Sequence, residues 1–155
     1  MRKLLLSVMM ICAYAAVQAQ PTPVEIRQLP NHYYIGTRQQ LKDEVNCFVI
    51  ADRKEYEAFF GKTDRPDTPK FSKEIMLVLL MPLSKKDSRM EFKKVDMKAG
   101  DFVEAYCALD LNKGKMPYEA YPIVTCAIPR YAGVKKVNFY NDKNMKLLES
   151  VPFKN

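Results

Sequence analysis

Seven successive apolar residues, Ile75 to Met81, are closed by Pro82. The run is too short for a bilayer span and too continuous for a strand with one wet face. It therefore predicts a strand covered on both faces, at the centre of a sheet. A buried helix is the rival reading, but Pro69 upstream and Pro82 at the end leave only about three turns for it. The rest of the pattern is arranged around this run.

Upstream, the period changes to that of a helix. Asp52 is placed to cap it, and Glu55 three residues later is placed to reach back to the Asp52 amide, as in a capping box. Tyr56, Phe59 and Phe60 share one face, Arg53, Lys54 and Glu57 point away, and Gly61 supplies the stop. That aromatic face is expected to cover the 75–81 strand. Before it, Val24 to Leu29, His32 to Ile35 and Val45 to Ile50 read as β-prone segments.

Downstream, SKKDS over residues 84–88 reads as a polar turn, and Arg89 to Met97 as a strand whose apolar parity switches at Lys93-Lys94. One extra residue there restores a single apolar face, so a β-bulge is expected at that dipeptide. Ala99-Gly100 turns the chain into Phe102 to Leu109, with Val103, Ala105, Cys107 and Leu109 on one side and Phe102 and Tyr106 on the other. Residues 112–121, NKGKMPYEAY, read as a long connection to a strand at Ile123 to Ile128. Val134 to Tyr140 and Met145 to Val151 read as a closing hairpin around a polar turn. One helix among a run of strands gives an α+β fold, a mostly antiparallel curled sheet or open barrel with one short helix packed on it.

The N-terminus adds a compartment. Arg2 and Lys3, an apolar stretch from Leu4 to Ala16 and the small-x-small step Val17-Gln18-Ala19 form an export signal over residues 1–19. Cys12 is preceded by the large Ile11 and not by a small residue, so a lipoprotein leader is not expected. The mature chain is read as an arm over 20–30 and a single domain over 31–155, periplasmic or secreted, with no stable membrane anchor after cleavage. Removing 19 of 155 residues leaves 136, enough for one core. The formal charge of +7 falls to +5 as Arg2 and Lys3 leave. The remaining lysine pairs are scattered, giving a solvated surface and no nucleic-acid stripe.

Catalytic patterns are sparse. His32 is the single histidine, which excludes a histidine metal cluster or relay. The serines stand in no nucleophile-elbow spacing, the glycines form no phosphate cradle, and no carboxylate pair is singled out. Neither catalytic residues nor a cofactor are expected. The mature chain keeps Cys47, Cys107 and Cys126. If the strands near 101–110 and 121–128 pair as a hairpin, Cys107 and Cys126 face each other, and a bridge would close a loop of about 18 residues for about 3 kcal/mol. Two buried thiols packing as small hydrophobes is the alternative.

Residues Ile50-Ala51-Asp52, a short helix ending Phe59-Phe60-Gly61-Lys62, a Pro-bearing loop, and Phe71-Ser72-Lys73-Glu74 leading into an apolar strand resemble the PrcB C-terminal domain family. The later Tyr121-Pro122-Ile123-Val124 and Ile128-Pro129 are also similar, and the likeness spans about residues 45–139. Lys70 stands where such domains often carry Asp, and 84–88 lacks their glycine-rich segment. The resemblance implies a protein-binding role, since the family is named for a small subunit associated with a bacterial surface protease. It carries over no catalytic residues.

The expected function is thus an exported, non-enzymatic interaction domain whose partner is a protein, an exported protease being the class implied. Lys115, Met116, Tyr118 and Tyr121 are the candidate contacts, because tyrosines give area at low entropic cost. Two alternatives stand beside it. One is a protease inhibitor presenting Lys115-Met116; the other is a small-ligand binder whose concave pocket is lined by Phe102 and Tyr106.

Overall fold

The strand over Glu74–Leu80 (β4) sits inside a four-stranded sheet and is buried on both faces, as its composition requires. The computed structural model describes residues 21–98 and 101–154, so the export signal expected over 1–19 and the turn expected at Ala99-Gly100 lie outside the described residues. In chain order the other strands are β1 (Thr22–Pro23), β2 (Arg27–Gln28), β3 (Asn46–Ile50), β5 (Ser84–Lys98), β6 (Phe102–Ala120), β7 (Ile123–Pro129), β8 (Lys136–Asn141) and β9 (Leu147–Pro152). The helix α1 covers Arg53–Phe60. One sheet runs β2-β7-β4-β3 and the other β1-β5-β6-β8-β9. All pairs are antiparallel except β6–β8.

The fold is α+β and its curled sheets do not close into a barrel. Alternation along β4 assigns its side chains to two cores. Ile75, Leu77 and Leu79 point between the sheets, where Cys126 and Ile128 meet Phe92, Val95, Val103, Val137 and Phe139. Met76, Val78 and Leu80 point the other way and are covered by Tyr56, with Phe59, Phe60 and Phe71 around it. The helix is therefore the outer layer of three. The Asp52 carboxylate accepts from the Glu55 amide at 2.8 Å, and Glu55 reaches back to the Ala51 amide at 2.9 Å, one residue before the expected position. Gly61 ends the helix at φ 80°, a conformation that favours glycine.

The bulge falls where the parity switch puts it. Phe92 pairs with Cys107 and Lys94 with Tyr106, which leaves Lys93 as the extra residue. Both Phe92 and Val95 then face the core.

Four expectations change. The 84–88 turn and the 112–120 loop are both strand, and they pair with each other. The 101–110 and 121–128 segments form no hairpin. β6 pairs with β5 and, in parallel, with β8, whereas β7 lies in the other sheet between β2 and β4. Cys107 and Cys126 are accordingly two buried free thiols from opposite sheets within one core. Residues 32–35 are not a strand; His32 is buried, close to the Tyr56 hydroxyl. Finally, the N-terminal arm is two short strands. β1 pairs with β5 and β2 with β7, so the arm ties one sheet to the other.

Candidate functional site

β4 and β5 are separated only by residues 81–83, and β6 and β7 only by 121–122, where Met81 donates to the Pro122 carbonyl at 2.9 Å. The four strands are thus one long hairpin that passes from the first sheet into the second. Its register slips where it crosses. Ser84 faces Ala120, Lys86 faces Lys115, and Arg89 faces Asp110. Met116 to Glu119 stand opposite Lys85 alone, and residues 111–113 opposite Ser88 alone. Extra residues on one strand bend and twist a ribbon, which is how strands turn the corner between packed sheets. Gly114 and Pro117 fit such an irregular strand.

This elbow carries a cluster of exposed lysines around an exposed tyrosine. Lys85, Lys86, Lys113, Lys115, Pro117 and Glu119 are exposed, and Tyr118 is 62% exposed. Lys113 is paired with Asp110 at 3.0 Å. Lys85, Lys86 and Lys115 have no acidic partner among the described residues. Lys86 and Lys115 are direct cross-strand neighbours, a like-charged pair that costs stability. Beyond Cys107, among the described residues, no strand pairs with β6 on the side opposite β5; the last link there is the Asp142 amide to the Cys107 carbonyl at 2.9 Å. Below that edge lies a cleft of about 350 Å³ whose apolar wall, Met81, Leu109, Leu111, Leu147 and Leu148 among it, is rimmed by Asp43, Glu44 and Lys146.

The structure separates the four candidate contacts. Lys115 and Tyr118 are exposed on the elbow and Met116 is half-buried beside them. Tyr121 belongs elsewhere: its ring meets Tyr34 edge-on at 5.3 Å, on the helix side. Lys86 and the Leu109/Leu111 wall were not singled out by sequence, because a lysine in a polar run carries no sign of what it will face across a strand.

Phe102 and Tyr106 do not line an interior cup, since the space between the sheets is filled by the shared core. They sit on the outer face. Tyr106 donates to Glu104 at 2.7 Å, lies under the Lys94 ammonium at 4.4 Å, and stacks on Tyr140. Burial first, then the bond to Glu104, pushes the Tyr106 hydroxyl well above its ordinary range.

The reactive residue types are enclosed. Burial pushes the Cys47 thiol up to about 12 and holds Cys107 and Cys126 far above the usual thiol range. His32 Nε2 lies 3.1 Å from the Tyr56 hydroxyl and Nδ1 lies 3.2 Å from the Leu29 carbonyl. Burial, then the nearby Arg65, lowers its pKa. Among the described residues no group of three or more His, Cys, Asp or Glu side chains is arranged to hold a metal ion, and no helix is long and apolar enough to cross a membrane. No family model matches the chain, and no curated protein or solved structure does either.

Proposed function

We propose that this chain is an exported, non-enzymatic interaction domain that docks an extended acidic segment of a protein partner at the elbow. The observation that carries the reading is the Lys86–Lys115 pair, two exposed lysines in direct cross-strand register with no acidic partner among the described residues. A carboxylate from a partner would relieve their repulsion. The backbone of β6 beyond Cys107 offers a ladder edge for strand addition, and the cleft beneath it takes apolar side chains. The resemblance to PrcB C-terminal domains and the leader-like N-terminus make an exported protease the partner class to try first. An inhibitor presenting Lys115-Met116 is the weaker reading, because Lys115 is held in register with Lys86 and not in a free loop.

A synthetic peptide alternating acidic and apolar residues, titrated into the labelled protein, tests the surface. Saturable amide shifts confined to 84–89 and 108–120 and to the cleft walls at 43–45, 81 and 146–148 are expected, at least about tenfold weaker for the basic counterpart and for Lys86→Gln/Lys115→Gln. Equal response to both peptides, or shifts elsewhere, rejects the elbow. Incubation with a trypsin-like enzyme separates the inhibitor reading: loss of protease activity supports inhibition, and cleavage without loss rejects it.

A further inference from the structure

Met145 stands in the left-handed region at φ 57°, as Asn31 does at φ 61°, and no other non-glycine residue among those described does so. Asparagine accepts that conformation readily, whereas a long apolar side chain is strained in it. The turn between β8 and β9 holds Met145 there. Its amide donates to the Asn141 carbonyl at 2.8 Å, and the Asn141 amide donates to the Lys146 carbonyl at 2.9 Å. The Asn141 and Asn144 side chains accept from the Lys143 and Lys146 amides. The bond from the Asp142 amide to the Cys107 carbonyl then fixes the turn to β6, at the residue where the free edge of β6 begins.

No burial in the free chain offsets that strain. Met145 is 57% exposed, and Leu147, two residues on, is 47% exposed. The residues that follow Met145, Lys146 to Leu148, line the apolar cleft together with Leu109 and Leu111. A strained residue with an exposed apolar side chain at the mouth of such a cleft is costly to the free protein and useful in a contact. The cleft also flanks an open ladder edge. Parity from Cys107 directs the Leu109 amide and carbonyl to the side opposite β5, so a strand added there sends every second side chain toward the cleft.

We propose that the partner strand anchors one large apolar side chain, of leucine or phenylalanine size, in this cleft, and that Met145 and Leu147 cover its outer side. The proposal rests on the strand-addition reading of the elbow and adds the residue class recognised at that position. The occupant is apolar because four leucines and Met81 form the wall, while Asp43, Glu44 and Lys146 stand at the rim. An unbranched thioether chain suits the covering role, since it adapts to the group it meets.

The alternating acidic and apolar peptide, labelled for fluorescence anisotropy, tests this in two forms, with leucine or with alanine at its apolar positions. The leucine form should bind at least about tenfold tighter. Met145→Asn relieves the strain, so the melting temperature should hold or rise. Its affinity for the leucine form should fall about tenfold, and its affinity for the alanine form should not change, because the two losses share one contact. Met145→Leu stays strained and apolar and should keep the wild-type affinity. If the wild-type protein binds neither form, the elbow reading falls and this one with it. If Met145→Asn binds the leucine form as the wild type does, only the role of Met145 falls. A lower melting temperature in Met145→Asn overturns the strain. Loss in that variant of self-association, or of co-sedimentation with phosphatidylglycerol vesicles, with peptide binding untouched, assigns the turn to a second copy or to lipid and overturns the proposal.

Discussion

Glu149 and Cys47 meet across an open seam: the Glu149 carboxylate lies 3.4 Å from the Cys47 amide, on the strand that faces β9. The other oxygen of the same carboxylate takes the Lys42 ammonium at 2.8 Å. An inward-pointing charge on an edge strand keeps that edge from recruiting another chain. Replacing Glu149 by Val removes a largely exposed ion pair, which contributes little, and the acceptor of the Cys47 amide. The buried Cys47 amide is left without that acceptor, so a modest fall in melting temperature is expected, while sedimentation shows concentration-dependent self-association. A variant that stays monomeric at every concentration would remove the seam-guarding role from Glu149.

The thiols of Cys47, Cys107 and Cys126 should be silent in the folded protein. Burial, with the Glu149 carboxylate adding to it, holds Cys47 near 12, and the other two lie higher still. At mildly alkaline pH a thiol-reactive dye should find no thiol before denaturation and three afterwards. Recovery of a single thiol in denaturant would mean that Cys107 and Cys126 had been bridged.

Truncation should hurt most where β4 faces both cores. Leu77→Ala and Tyr56→Ala each remove a fully buried side chain, with expected losses of about 2–5 kcal/mol in chemical denaturation. Asp52→Ala removes only the helix cap and should cost about 1 kcal/mol. A loss at Asp52 as large as at Leu77 would contradict the layer order.

Acid should act on this fold in two windows. His32 has a lowered pKa in the folded state, so the unfolded chain takes up its proton first. Stability is complete above the ordinary histidine pKa near 6.5 and declines as pH falls below it. Asp67 is held below its ordinary value chiefly by Arg65; Glu74 is raised by burial but more strongly lowered by the Lys70 amide and Arg27. Both contribute stability above the ordinary carboxylate range that is lost as pH drops through the folded pKa. Thermal melts of His32→Gln should lack the upper window and keep the lower one. Retention of both windows would remove His32 as the source.

The features legible in sequence are those settled by near neighbours or by side-chain period. The unbroken apolar run at 75–81 announces burial on both faces, Asp52 and Glu55 announce a helix start, and the parity switch at Lys93-Lys94 announces a bulge. Residues 84–88 and 112–120 carry no such mark. Lysine, glycine and proline are poor strand formers, and these segments are strands because each supplies the other's hydrogen bonds at a corner between sheets. The parallel β6–β8 pair is equally silent, since it depends on β7 having left for the other sheet. Tyr118 was legible as an exposed aromatic; Lys86 was not, because its significance lies in facing Lys115.

The placement of β7 has a mechanical corollary. A single clip at Lys115-Met116 would divide the chain covalently, yet β7 on the later piece remains wedged between β2 and β4 on the earlier one. The severed halves should travel as one particle until a denaturant parts them, so two bands on a denaturing gel would accompany an unchanged native mass.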